Sequence, residues 1–142
     1  MENLSKKETL KYLKNKIKHI RTAMLTTYSN TNGYKSRPMG TTNIDNNGNI
    51  WFFTNEYSPE RKEVFTDNAV SVTYSTPGND TYLSVRGEAE LISDRQKMKE
   101  RWNPFARAFF PGGLNDPKLK LIRIKPTNAE YWDSGSIKLI VL

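Results

Sequence analysis

Two Asn-Gly pairs, Asn32-Gly33 and Asn47-Gly48, sit between runs of β-forming residues and constrain the fold more than any other feature of the chain. Both residue types tolerate the positive φ that tight hairpin turns need. Segments 22–28, 34–45 and 50–54 are therefore expected as a three-strand antiparallel meander. Pro38 falls inside the second of these. With no N–H to donate, it implies an edge, a bulge or a break. Further strands are expected over 70–75, 81–92, 119–125 and 128–133, with 136–142 as a possible addition. Gly87 marks a possible bulge in the fifth. The pattern predicts a mainly β domain with short helices: a six-stranded, mostly antiparallel barrel, closed or partly split so that few edges are left open.

Helical signals are short. Ser5-Lys6-Lys7-Glu8 has the form of a capping box. Leu10, Leu13, Ile17 and Ile20 follow at three- and four-residue spacing, which predicts an amphipathic helix over about 6–18 with lysines outward. Ser93-Asp94-Arg95-Gln96 reads as another capping box, starting a helix that stops near Trp102 because Pro104 disfavours helix at the residue before it. Asn103-Pro104 can cap a second short helix, ended by Pro111-Gly112-Gly113. Ser58 looks like an N-cap with Pro59 at the first helical position, for a helix over about 59–67. No repeat or linker divides residues 1–142, so one domain is expected.

Composition removes several function classes. The 142 residues contain no cysteine and one histidine, His19. Disulfides, thiolate metal sites and histidine clusters are therefore excluded, no metal site is expected, and no Ser-His-Asp arrangement is read in the sequence. No apolar run is long enough for a signal peptide or a membrane helix, so a cytoplasmic protein with no membrane partner is expected. The net charge is +7. Residues 1–21 hold seven basic and two acidic side chains, and the other 121 hold fifteen and thirteen. The body is nearly balanced, which weakens a reading as a nucleic-acid-binding barrel; that reading rests on the basic N-terminal helix and the aromatics. Glu88 and Glu90 fit a solvated strand face. With so few acid–base groups, an enzyme of this composition would depend on a cofactor.

Three elements could hold one. The helix start after 50-IWFFT-54 directs unpaired amides and a dipole at whatever precedes it, and Ser58, Arg61 and Lys62 could join them around a phosphate. An ordinary capped helix, with Glu60 satisfying the dipole, is the alternative. In 35-KSRPMGTT-42, Arg37 precedes Pro38 and Gly40, so a guanidinium stands beside backbone that can bond a phosphate or a ring edge; an edge strand with a surface arginine is the alternative. Aromatic residues could pack a planar ligand, although most are needed for the core. Trp102 and Trp132 stand out because they lie at expected element ends.

Taken together, "SRPM", "WFFTNEYSPE", "NAVSVTYSTPGNDTYLSVRGEAELISDR", "WNPFARAFFPGG" and "DPKLKLIRIKPTNAEYWD", in this order, resemble the general stress protein 26 branch of the pyridoxamine-phosphate-oxidase-related FMN-binding split-barrel proteins. The likeness covers about residues 20–133. It implies a split β-barrel that binds FMN, as a homodimer with two sites at the subunit interface. It further implies that Arg37, Pro38, Met39, Gly40 and Thr41 line the flavin, with Phe53 and Thr54 beside them. Ser58, Arg61 and Lys62 would hold the phosphate, and Trp102 and Trp132 would pack near the ring, in one subunit or across two. Glu60 departs from the family pattern, which has lysine there.

The expected activity is redox chemistry at the flavin, with electrons from a reduced nicotinamide or a reductase. A non-catalytic flavin carrier or sensor is the first alternative, and a nucleic-acid-binding barrel the second.

Overall fold

Alternation of buried and outward residues defines the strands. In β1 (Thr22–Ser29), Ala23, Leu25, Thr27 and Ser29 are buried and the residues between them are more exposed. The structure, a computed structural model, describes residues 6–20, 22–55, 67–76, 78, 80–133 and 136–141. Its elements are α1 (Lys6–Ile17), β1, β2 (Gly33–Ile44), β3 (Ile50–Asn55), β4 (Ala69–Thr76), β5 (Thr81–Ile92), α2 (Arg95–Arg101), α3 (Ala106–Phe109), a 3₁₀ turn (Gly113–Asn115), β6 (Leu119–Asp133) and β7 (Ser136–Val141). The strand order is β3-β2-β1-β4-β5-β6-β7, antiparallel throughout, and β3 also pairs with β6. That added ladder closes six strands into the expected split barrel.

The split has a local cause. β5 pairs with β6 along its length, whereas the opposite edge of β6 changes neighbour: Leu119 to Ile124 pair with β3, and Asn128 to Asp133 pair with β7. Lys125, Pro126 and Thr127 fall between. The expected strands 119–125 and 128–133 are thus one continuous strand, because proline's fixed φ suits extended backbone and removes only a donor. Arg86 faces Asn128 and Gly87 faces Pro126, so Thr127 is the extra residue of a bulge. Gly87 does mark the bulge, from the partner strand. A Cβ on Gly87 would lie 2.4 Å from the Lys125 carbonyl oxygen, so only glycine leaves room.

One extra residue reverses the parity of a strand. Ile122 and Ile124 fill the barrel before the bulge, and Ala129 and Tyr131 fill it after. β2 repeats the device: its register with β3 shifts between Thr41 and Asn43, so Met39 and Ile44 both face inward.

β3 is buried on both faces. Ile50 and Phe52 enter the barrel. Trp51 and Phe53 face outward, where Met98, Ala106, Leu119 and Leu121 cover them, together with Trp102 and Phe110. Asp94, one residue later than the capping box suggests, caps α2: its carboxylate accepts from the Lys97 amide at 3.2 Å, three residues on, as an N-cap side chain does. Trp102 ends α2 as expected, and Asn103 Oδ1 accepts from the Phe105 and Ala106 amides ahead of α3.

α1 covers one mouth of the barrel. Leu13 joins the core, and the space among Leu10, Leu13, Ile44, Gly48, Ile50, Leu83, Val85 and Pro126 is about 10 Å³, at the lower limit for one water. Lys16 Nζ lies 5.2 Å from the Tyr12 ring and 5.1 Å from the Tyr131 ring, so at least one of the helix lysines is not simply solvated. Ser5, the expected cap, lies outside the described residues.

Each Asn-Gly turn relies on its glycine. Gly33 (φ +69°) closes the Asn30–Asn32 loop, and Gly48 (φ +85°) the second turn. Both asparagines keep negative φ; among the described residues Asp80 is the one non-glycine in the positive region. The second turn is built on Asp45. Its Oδ1 accepts from the Asn47 and Asn49 amides, each at 2.9 Å. Its Oδ2 accepts from Asn49 Nδ2 at 3.1 Å and from the Trp51 indole at 3.0 Å. Burial pushes this carboxyl up, but the bonds from Trp51, Asn49 and Asn47 outweigh it and hold the pKa below the usual aspartate range.

Because the folded pKa is depressed, the stabilisation is complete above the unfolded value and fades as pH falls through the folded one. Asp45→Asn is expected to cost about 1–3 kcal/mol at pH 7 and progressively less in acid, read by urea denaturation across that range. A deficit that stays constant with pH would contradict this.

Candidate functional site

The β2–β3 ladder ends at Thr41↔Phe52. Before that point β2 has a ladder neighbour on the β1 side alone among the described residues, with Leu25↔Arg37, Met24↔Pro38, Ala23↔Met39 and Thr22↔Gly40. Beyond it, Phe53, Thr54 and Asn55 pair with β6 and not with β2. The two strands therefore diverge, and Arg37 to Gly40 on one side and Phe53 and Thr54 on the other flank the opening. Pro38 sits on this one-sided stretch, which makes it an edge proline.

The residues flanking the opening differ in what they can offer. Arg37 shares the inward face with Leu25, and its Nη1 donates to Thr27 Oγ1 at 2.7 Å and to the Leu25 carbonyl at 3.4 Å. The guanidinium is half-buried and anchored. Met39 and Thr54 are buried, so a ligand in the opening would meet their backbone rather than their side chains. Pro38 and Gly40 are exposed on the outer face. Thr41 is the last β2 residue before the bulge.

Outside the barrel, Phe53 meets the Trp102 ring edge-on at 5.3 Å (75° between planes), and Phe110 at 6.2 Å. Such aromatic pairs contribute about 0.5–1.5 kcal/mol beyond area burial and fix ring orientation. Phe105 and Phe109, in the same segment as Trp102 and Phe110, are 56 % and 70 % exposed. Trp132 is not part of it. It pairs with Tyr82 and Ile137 at the far end of β6, roughly 35 Å along the strand from Leu121 at about 3.3 Å per residue. One chain therefore joins Phe53 to Trp102 but leaves Trp132 apart. Ser58, Arg61 and Lys62, with Pro59 and Glu60, lie outside the described residues. Among the described residues no group of acidic or histidine side chains could hold a metal ion, and no helix is long and apolar enough to cross a membrane.

The profile of the family described as pyridoxamine 5'-phosphate oxidase like matches residues 8–142. The chain belongs to that family. Its fold is shared with a Clostridium acetobutylicum protein related to general stress protein 26, at a TM-score of 0.81 and 15 % identity, covering 96 % of both chains. A general stress FMN/FAD binding protein from Xanthomonas citri is 29 % identical, with a TM-score of 0.72 over 96 % of this chain and 94 % of its own. Among curated proteins, Protein bli-3 of Neurospora crassa is 28 % identical over 77 % of this chain. The chain spans 57 % of the length of that relative.

In this member of the oxidase-like family, sequence reasoning missed Thr27. Its place opposite Lys35 on β1 gives no sign that its hydroxyl holds Arg37. It also treated Trp51 as generic aromatic supply and overlooked Asp45. The signal for Asp45 was present, since an Asp two residues before an Asn-Gly turn commonly bonds the turn amides.

Thr27→Val keeps the shape of this buried side chain and removes the acceptor. The expected result is a loss of about 1 kcal/mol in stability and greater motion at Arg37, read from relaxation of its Nε–H, with Thr27→Ser restoring both. An Arg37 as ordered in the valine variant as in the parent would show that Thr27 does not hold it.

Proposed function

We propose that this chain is a cytoplasmic FMN-binding protein that works as a homodimer and transfers electrons through the flavin. The observation that carries this reading is the opening between β2 and β3. There the end of the ladder leaves strand backbone with one ladder neighbour, bordered by an anchored guanidinium on the inward face of β2 and by an aromatic pair on the outer face of β3. Those groups fit a planar ring with an anionic tail: backbone for the ring edge, aromatic surface for its flank, Arg37 for negative charge. The name of the Xanthomonas citri protein supports a flavin as that ring.

Bound flavin would supply the redox chemistry, and a reduced nicotinamide is the expected electron source. This chain's residues would bind and orient it and exclude water. No side chain is assigned a proton transfer, so a carrier or sensor without turnover is the second reading. Nucleic-acid binding has less support, because α1 spends its apolar side on the barrel and Lys16 on two tyrosine rings.

The homodimer is supported by an uncharged sheet face. In a chain with 26 % charged residues, the outer positions of β1, β2 and β4 read Met24, Thr26, Ser36, Pro38, Ser71 and Thr73, matched across the ladders. Thr26 and Ser36 bond one another at 2.6 Å and Met24 is 39 % exposed. Such a face suits a second copy, since interface cores are depleted in charge. Trp132 stands beside Tyr82 near this face. A second copy seated there is the route by which it would approach an opening that its own chain does not reach.

Purified protein is expected to be yellow, or to perturb the FMN spectrum on titration, and Arg37→Ala to weaken FMN binding at least about tenfold, the worth of one charge-assisted contact. No spectral change with FMN at any concentration would end the reading. Thr26→Arg, which puts charge in the middle of the face, is expected to give monomers in sedimentation and to lower FMN affinity. Turnover of reduced nicotinamide with an electron acceptor separates an oxidoreductase from a carrier.

A further inference from the structure

Two consecutive residues at the end of α2 rest on two alternate residues of β3. Trp102 packs on Phe53, with ring centroids 5.3 Å apart. Arg101 packs on Trp51, its guanidinium carbon 3.8 Å from the ring centroid. Trp51 and Phe53 are both buried on the outer face, so the end of the helix is held at two points rather than one.

The Trp51 contact is itself fixed from three sides. The indole N–H donates to Asp45 Oδ2 at 3.0 Å, which sets the ring plane. The same oxygen lies 4.0 Å from an Nη of Arg101, so carboxylate, indole and guanidinium form one unit. Arg123, the cross-strand neighbour of Trp51, stands 5.6 Å from the ring and pairs with Glu90 on β5. A second charged contact of Arg101, to Glu100 at 3.4 Å, is local to the helix.

Arg101 does not sit there to satisfy a forked hydrogen bond. Its Nε is buried and has no acceptor among the described residues. A buried N–H without a partner is unfavourable. What compensates is the flat stacking on an indole, which a guanidinium makes better than an ammonium does, with Asp45 close by.

We propose that Arg101 is a positioning residue for Trp102, acting through Trp51 and Asp45, and that this clasp sets the aromatic wall beside the β2–β3 opening. The second half of this inference rests on the flavin-binding reading. The first half does not. Without the clasp, Met98 still seats the helix on β3, but the helix end is held by one ring contact, Trp102 on Phe53. Trp102 is then free to pivot about it.

The test separates the two halves. The three indole N–H signals (Trp51, Trp102, Trp132) are assigned by single Trp→Phe variants and followed by ¹H–¹⁵N NMR in ligand-free protein. Arg101→Met keeps the side chain's length and apolar stem and removes the planar charge. Its expected result is a shifted or broadened Trp102 signal and altered Trp102–Phe53 ring contacts, with Trp132 unchanged. Arg101→Lys, which keeps the cation without the flat stack, should fall between the two. Should Arg101→Met not fold, Arg101→Lys gives the same reading on the intact chain. A Trp102 signal and ring contacts unmoved in both variants would overturn the clasp.

FMN titration of the same proteins is the second arm. Arg101→Met is expected to weaken binding about tenfold, the worth of one misplaced aromatic contact. Unchanged affinity with a displaced Trp102 would overturn its role in the wall. Failure of the unsubstituted protein to bind FMN would instead sink the flavin reading and leave the NMR result standing.

Discussion

The barrel depends on one strand changing neighbours halfway. β6 runs beside β5 over its whole length, but its other edge serves β3 first and β7 afterwards. Two residues make this possible. Thr127 is inserted into the ladder and Gly87 opposite has no Cβ to strike the Lys125 carbonyl. The inserted residue reverses strand parity, so isoleucines before it and Ala129 and Tyr131 after it all reach the interior. Without that reversal one half of β6 would turn its apolar side chains to water, and the six strands could not enclose a continuous core.

The same device at β2 opens the site. The shift between Thr41 and Asn43 restores the inward parity of Ile44 and coincides with the end of the β2–β3 ladder. The opening flanked by Arg37 and Phe53 is therefore produced by the strand geometry that seals the core a few residues away. On the outer side β3 uses its two outward aromatics as seats for α2, so barrel, helix and opening share one strand. A change at β3 would be felt in all of them.

Much of this architecture is legible in the sequence. The two Asn-Gly pairs gave the meander, and the strand limits agree with the structure within one or two residues, because alternation over six or more residues is a strong local signal. Pro38 as an edge residue and Gly87 as a bulge marker followed from what each residue lacks. The merger of 119–125 with 128–133 was not legible: proline and asparagine at 126 and 128 look like a turn, and only ladders to β5 on one side and to β3 and β7 on the other keep the backbone extended. For the site, local pattern marked Arg37 and Trp102 as candidates and the family resemblance added Phe53, but neither could show what holds them. Thr27 and Asp45 act through partners ten and six residues away, by hydrogen bonds that leave no periodic trace. The separation of Trp132 from Trp102 depends on the path of β6, which the sequence does not state.

Closure of the barrel also fixes an order of events. The β1–β2 and β4–β5 hairpins join residues close in sequence, whereas the β3–β6 ladder joins positions about seventy residues apart, from Ile50↔Ile124 to Asn55↔Leu119. Such distant pairings carry the largest loop-closure entropy and form late. During synthesis β3 must therefore wait, with its two-sided aromatic surface uncovered, until residues 119–124 have left the ribosome. This chain's window of aggregation risk is set by one strand and ends with the arrival of another.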